Sequence, residues 1–240
     1  MIKKIRINKY LAEAGICSRR KADELVLAGK IKINEKIADP GDCIGDTDKV
    51  YYNNKPVEFD QEKVYIVLNK PTGVISAAID EKGRKKVTDF GPESVRLYPI
   101  GRLDEDSEGL IILTNDGDLA QKLSHPSFQH EKEYEVWIDR GEKVEFDKIK
   151  GRMTGGLLIE KKLMKADSVD SFRMKTKNGQ KYVIFNVVLH TGHNRQIRKM
   201  CGKIGLSVAK LVRIRIGKLE LSKLNLKSGR TKQITKNDII

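Results

Sequence analysis

A chain of 240 residues, 39% hydrophobic and with a formal net charge of +14, has room for one large domain, or for a catalytic domain plus a small appendage with its own core. The charge is uneven: residues 193–240 hold 13 Lys plus Arg against 2 Asp plus Glu, a net +11, which favours nucleic acid over an anionic membrane surface as the partner. Cys17, Cys43 and Cys201 are isolated and odd in number, so neither a disulfide framework nor a cysteine-rich zinc site is suggested, and no apolar run approaches the roughly 20 residues of a membrane span. The start, MIKKIRINKY, is basic but has no apolar segment after it, so the chain reads as soluble, unexported and cytoplasmic.

Residues 8–34 read as two short helices and a strand. Asn8 is placed to cap a helix over Lys9 to Ala14 that Gly15 stops, and Ser18 to cap a second over Arg19 to Ala28 that Gly29 stops. Lys30-Ile31-Lys32-Ile33 then alternates as a strand does. Arg19, Arg20 and Lys21 fall in the first turn of the second helix, where the positive end of the dipole favours acids and disfavours cations. An external anion is expected to compensate them, and a nucleic-acid phosphate fits. The segments Ala14-Gly15-Ile16-Cys17-Ser18-Arg19-Arg20-Lys21-Ala22 and Gly29-Lys30-Ile31-Lys32-Ile33-Asn34 resemble the alpha-L RNA-binding motif of ribosomal protein S4. That resemblance implies a docking module without chemistry, with Lys30 among its RNA contacts. Asn53 to Lys63, with Pro56 and mixed charge, reads as the linker before the apolar run Val64-Tyr65-Ile66-Val67-Leu68 opens a new core. The expected division is 1–59 and 60–240.

Further along, the extended stretch Leu97-Tyr98-Pro99-Ile100-Gly101 leads to Asp104, and the continuous apolar run Leu110 to Leu113 has the composition of a buried strand. On these residues alone Asp104, Asp106 and Glu108 are ordinary turn residues. The alternation in Lys181 to Leu189 and in Leu211 to Ile216 predicts two more strands. Between them, Arg195 to Gly202 is expected as a helix with Arg198 inward and Lys199 outward.

Four ordered segments alter the reading of Asp104: Asn69-Lys70-Pro71-Thr72-Gly73, Gly101-Arg102-Leu103-Asp104 followed by Ser107-Glu108-Gly109-Leu110, Lys132-Glu133-Tyr134, and Asn194-Arg195-Gln196-Ile197-Arg198. Together they resemble the motifs of RNA pseudouridine synthases in the branch that includes RsuA, RluB, RluE and RluF. The resemblance implies an α+β catalytic domain with a mixed, largely antiparallel sheet flanked by helices. It implies Asp104 as the nucleophile that exchanges a uracil's N–C glycosidic bond for a C–C bond, whether by attack on sugar or ring or by stabilising positive charge on the sugar. Tyr134 is implied to lie against the target base, where stacking contributes about 1–3 kcal/mol toward extracting the nucleotide. An ionised carboxylate in a site closed to water requires a guanidinium beside it, and the late motif makes Arg198 that partner.

Arg102 is placed to fill the gap left by a flipped base or to pair with a neighbouring one. Lys70 and Arg195 are expected near phosphates or on the site wall. Gly73, Gly101 and Gly109 are read as turn or close-approach devices. The expected partner is ribosomal RNA, of the large subunit, with tRNA or the small-subunit RNA as the other candidates, and the chain is expected to act as a monomer. His190 and His193, with His125 and His130, lack an HExxH pattern or a carboxylate cluster to complete a metal site, and neither GxxxxGK[ST] nor GxGxxG occurs. The isomerisation is redox-neutral, so no metal or organic cofactor is expected. The competing reading is a non-catalytic RNA-binding assembly factor; the presence of Asp104, Tyr134 and Arg198 together argues for catalysis, because a pure binder has no use for a buried carboxylate facing phosphates. In the catalytic reading Asp104 should be buried and close to Arg198 and Tyr134 in a basic cleft.

Overall fold

The computed structural model describes residues 4–58, 62–124, 131–139 and 145–239. Its contacts divide into two compact units, one of Met1–Val64 with the short pieces Ser94–Arg96 and Asn115–Gly117, the other of Tyr65–Glu93, Leu97–Thr114 and Asp118–Ile240. His125 and His130 lie outside the described residues.

The first unit contains β1 (Ile5–Arg6), α1 (Ile7–Glu13), α2 (Arg19–Leu27), β2 (Ile31–Ile33), β3 (Lys36–Ile37), β4 (Cys43–Ile44), β5 (Val50–Tyr52) and β6 (Lys55–Pro56). β1 pairs with β4, and the other strands form an antiparallel sheet in the order β3-β2-β5-β6. Ile7, Leu11, Ala22, Leu25, Val26, Ile31 and Val50 make its apolar core. Ser18 caps α2 as expected, its hydroxyl accepting from the Lys21 N–H at 3.1 Å. Asn8 is no cap: α1 begins one residue earlier, and Asn8 is buried inside it, donating to Asp23 Oδ1 at 2.9 Å. A long-range partner has overridden the local capping preference of asparagine. The expected linker is also too long at its start. Asn53 and Asn54, both at positive φ, turn the chain into β6, and Val57 is buried in this unit's core.

The second unit is α+β. Its strands are β7 (Tyr65–Lys70), β8 (Tyr98–Ile100), β9 (Glu108–Thr114), β10 (Lys132–Asp139), β11 (Leu157–Ile159), β12 (Lys162–Met164), β13 (Ser168–Lys177), β14 (Gln180–Leu189), β15 (Val208–Ile216), β16 (Leu219–Glu220) and β17 (Thr231–Gln233). Helices α3 (Gly117–Ser124), α4 (Phe146–Gly155), α5 (Gln196–Lys203) and α6 (Leu221–Leu224) accompany them. Among the described residues one mixed sheet runs β13-β14-β10-β15-β9-β7-β17, with β16 paired to β15 and β8 to β9. All its pairings are antiparallel except β9 with β15, which register in parallel at Glu108 with Val212 and Gly109 with Arg213.

The apolar run Leu110 to Leu113 has no exposed surface, which is why it reads as continuous rather than alternating. Ile149 and Met153 of α4 and Ile197, Met200 and Cys201 of α5 pack with Val136, Phe185 and Val187. Leu119 and Leu123 of α3 pack with Val67, Leu110 and Ile112. Each such side chain contributes about 1.5–3 kcal/mol of burial, so α5 and β9 are firmly seated before any site residue is considered. No helix among the described residues is long and apolar enough to cross a membrane.

Candidate active site

A cleft of about 600 Å³ lies on the second unit beside the parallel junction of β9 and β15. Arg102, Asp104, Lys132, Tyr134, Arg195 and Arg213 are among its lining residues. Asp104 is the one carboxylate among them, against four Lys and Arg side chains.

Asp104 stands in the loop that joins β8 to β9. Gly101, at φ 72°, turns the chain out of β8, and the Ser107 N–H donates to Asp104 O at 3.1 Å to close a turn under the carboxylate. The loop is anchored on three sides. Ser76 Oγ donates to Leu103 O at 2.7 Å and accepts from the Leu103 N–H at 3.0 Å, while the Gly73 N–H donates to Glu105 O at 2.9 Å. Lys70, fully buried at the end of β7, donates to Ser107 O at 2.7 Å, Pro71 O at 2.9 Å and Glu105 O at 3.4 Å. Burial pulls its ammonium down to about 8, against the opposing pull of Asp106, Glu105, Glu108 and Asp104. Lys70 was expected at a phosphate or on the site wall. It is neither, because its whole length is enclosed and its ammonium holds loop carbonyls.

The late motif supplies a second anchor. Arg195, in the left-handed region at φ 52°, leads into α5, and its guanidinium grips Asp106 with two hydrogen bonds of 3.1 and 2.9 Å. Those bonds, with the charge of Arg198, hold the Asp106 carboxyl below the usual carboxylate range despite partial burial. The same Arg195 guanidinium lies 3.7 Å from Asp104 Oδ2. Arg198 points inward as expected, but its Nη2 donates to Asp106 O at 2.9 Å and its Nη1 to Val208 O at 3.0 Å, and its Nε lies 3.4 Å from Asp106 Oδ2. The expected Asp104–Arg198 pairing is thereby corrected: Arg195 is the guanidinium beside Asp104, and Arg198 fastens the backbone two residues on. The helix itself starts at Gln196 rather than Arg195, and Lys199 faces outward to Glu160 at 2.8 Å. Asp104 is 27% exposed, half-buried rather than buried.

Tyr134 lies on β10, opposite Arg213 of β15 and Val187 of β14, half-buried with its ring facing the cleft. Arg102 is exposed at the rim. Lys132, two residues before Tyr134 and so on the same strand face, has its ammonium pulled below the ordinary value by burial and then by the charge of Arg213. Gly109 permits the parallel junction: at φ 105°, a Cβ there would lie 2.2 Å from Arg213 O. Gly73 is also at positive φ, 76°. His190 is tied to Asp167 through Nδ1 at 2.5 Å and its N–H at 2.7 Å, and no three His, Cys, Asp or Glu residues among those described cluster to hold a metal.

The sequence reading missed Asp106, Ser76, Lys132 and Arg213. Asp106 offered a weak signal, as the third carboxylate of Asp104-Glu105-Asp106 in a chain whose late motif holds two arginines. Arg213 offered the contrast of a cation inside an apolar strand, Leu211-Val212-Arg213.

A half-buried carboxylate that shares a cleft with a tyrosine and four cations suits attack on an electron-poor centre of a ligand that carries negative charge. The comparisons give that arrangement a class. Residues 64–203 match the family model for RNA pseudouridylate synthase, and residues 5–50 match the S4 domain. The chain belongs to the RNA pseudouridylate synthase family, with an S4 domain in front. In particular, it is 40% identical to the dual-specificity RNA pseudouridine synthase RluF of Escherichia coli K12, over 98% of this chain and 77% of that protein. It is 37% identical to the ribosomal large subunit pseudouridine synthase B of Bacillus subtilis 168, over 98% of this chain and 93% of that protein. A crystal structure of a pseudouridylate synthase superposes with a TM-score of 0.63 at 26% identity, covering 98% of both chains.

Proposed function

We propose that this chain isomerises specific uridines of large-subunit ribosomal RNA to pseudouridine, with residues 60–240 as the catalytic domain and residues 1–59 as an RNA-docking domain. Asp104 is the nucleophile, Tyr134 the platform on which the extruded base stacks, and Arg102 the side chain that occupies the vacated position in the RNA. Arg195 and Arg198 act on Asp104 differently: the first is the adjacent guanidinium, the second positions the loop through Asp106. The S4 domain presents Arg19, Arg20 and Lys30 to phosphates, while Lys21, expected beside them, is engaged by Glu24. The chain acts as a monomer in the cytoplasm and needs no cofactor, because the reaction is an isomerisation in which no electrons are gained or lost.

The observation that carries this reading is the isolation of Asp104 as the one carboxylate lining a cleft shared with Tyr134 and four cations. The ribosomal target is supported by the Bacillus subtilis relative, whose name specifies the large ribosomal subunit. RNA tritiated at uracil C5 tests it, since forming the C5–C1′ bond expels the label. Wild-type protein should release tritium from large-subunit RNA, and Asp104→Asn should release none above background. Absence of release from any cellular RNA overturns the activity, and release that persists in Asp104→Asn overturns the nucleophile.

A further inference from the structure

Arg213 is 2% exposed, lines the cleft and is only partly satisfied. Its Nε donates to Leu110 O at 2.7 Å and its Nη1 to Arg102 O at 3.3 Å, while its Nη2 is buried with no hydrogen-bond partner. No carboxylate among the described residues lies within ion-pair distance of it. A charged donor left in that state costs more than the roughly 1–3 kcal/mol of a neutral one, and the cost is removed if a ligand supplies an acceptor. The register fixes where such an acceptor would sit. Arg213 is opposite Tyr134 on one side and Gly109 on the other, and its side chain reaches the carbonyl of Arg102, two residues before Asp104. The orphaned N–H therefore lies between the stacking ring and the nucleophile's loop. Lys132 lines the same cleft, two residues before Tyr134 on β10.

We propose that Arg213 donates through Nη2 to a carbonyl oxygen of the bound uracil, O2 or O4, and stabilises the negative charge that the base carries between leaving the sugar and rejoining it. The proposal rests on the uridine isomerisation argued above. In that reaction the electron pair of the N1–C1′ bond goes to the base, where it is shared with O2 and O4. A C5–C1′ bond then forms, the proton on C5 is lost and a proton is taken up at N1, so the product is an isomer. A preorganised donor aimed at developing charge, in a site that excludes water, typically contributes 10²–10³ in kcat. Arg102 and Arg195, which are solvent-exposed, are poorly suited to this part because water screens them.

The test pairs Arg213→Met with RNA in which the target uridine carries sulfur at position 2 or 4, a weak acceptor in place of oxygen. Arg213→Met should lose about 10²-fold in kcat with the RNA Kd unchanged. At one of the two positions the sulfur should slow the wild type but not the variant, the non-additivity expected of two groups in contact. A variant with wild-type kcat, or one slowed by sulfur at both positions as much as the wild type, overturns the proposal and leaves the activity standing. Absence of tritium release by the wild type would instead overturn the activity itself. If Arg213→Met does not fold, Arg213→Lys is read on the same RNAs. A lysine ammonium brings its donors to a single point and cannot take the three separate positions of Nε, Nη1 and Nη2 in the guanidinium fork, so wild-type kcat with wild-type sulfur sensitivity in that variant also overturns the proposal.

Discussion

Lys70 stands in a motif where a basic residue invites a phosphate contact, yet its ammonium is committed to the carbonyls of Pro71, Glu105 and Ser107. It is a positioning residue for the loop that carries Asp104. Lys70→Met leaves those carbonyls without their donor, and each lost partner costs about 1–3 kcal/mol, offset in part by removal of a buried charge. We expect a net loss of about 1–3 kcal/mol in urea unfolding and about a hundredfold loss of kcat, the cost of ångström-scale misplacement. RNA affinity should not change; a weakened Kd would restore the phosphate role. The pH dependence has a defined sign. With the folded ammonium drawn down to about 8 from an ordinary 10.5, the unfolded chain holds a proton that the folded one has released between those values. This group's contribution to stability therefore rises with pH across that window and is constant below it. The difference in unfolding free energy between wild type and Lys70→Met should grow from pH 8 to pH 10; a difference that stays flat shows that Lys70 does not titrate there.

The elements most legible in the sequence were those whose pattern is local. Leu110 to Leu113 announced a strand buried on both faces, Ser18 announced the start of α2, and the alternation around Val183 to Leu189 announced β14. What stayed hidden depends on partners far along the chain. Asn8 looked like a cap until Asp23 engaged it, and Arg198 looked like the partner of Asp104 until the loop placed Asp106 and its backbone carbonyl in reach. Spacing can say that an arginine on α5 faces inward, but it cannot say which of two carboxylates two residues apart it meets. Gly109 lies between these cases: its glycine identity was readable as a close-approach device, whereas the neighbour it admits, the backbone of Arg213, was not. Gly109→Ala combines backbone strain of about 1–3 kcal/mol with overpacking of about 1–3 kcal/mol, so we expect a loss of roughly 3 kcal/mol or more. Gly151→Ala, in the body of α4 with open space around it, should instead gain about 0.5–1 kcal/mol. Urea melts of the two variants provide the comparison, and a Gly109→Ala protein as stable as wild type would mean that β9 and β15 can separate without cost.

At the scale of the whole molecule the question is how a chain of net charge +14 divides RNA binding between its parts. Residues 193–240 hold a net +11, and part of that charge is internally committed: Arg195 and Arg198 to Asp106, Arg215 to Glu133 and Glu131, Lys210 to Glu108. Counting charges along the sequence therefore overstates what that segment offers to phosphates. In the S4 domain, by contrast, Arg19, Arg20 and Lys30 are exposed, while Lys21 is already paired with Glu24 at 2.7 Å. Each phosphate contact adds about 0.9 to the slope of log affinity against log salt on duplex RNA, by analogy with B-form DNA, and about 0.7 on single strands. If Arg19, Arg20 and Lys30 each meet one phosphate, replacing all three with alanine should reduce that slope by roughly 2 to 3, and deleting residues 1–59 should reduce it by at least as much. The triple variant should keep the wild-type rate at saturating RNA and show its defect in KM, since its substitutions leave Asp104, Tyr134 and the loop anchors untouched. Filter binding at several salt concentrations measures the slope. If the slope is unchanged in both proteins, the phosphates are held by the catalytic domain alone and the S4 domain does not dock RNA.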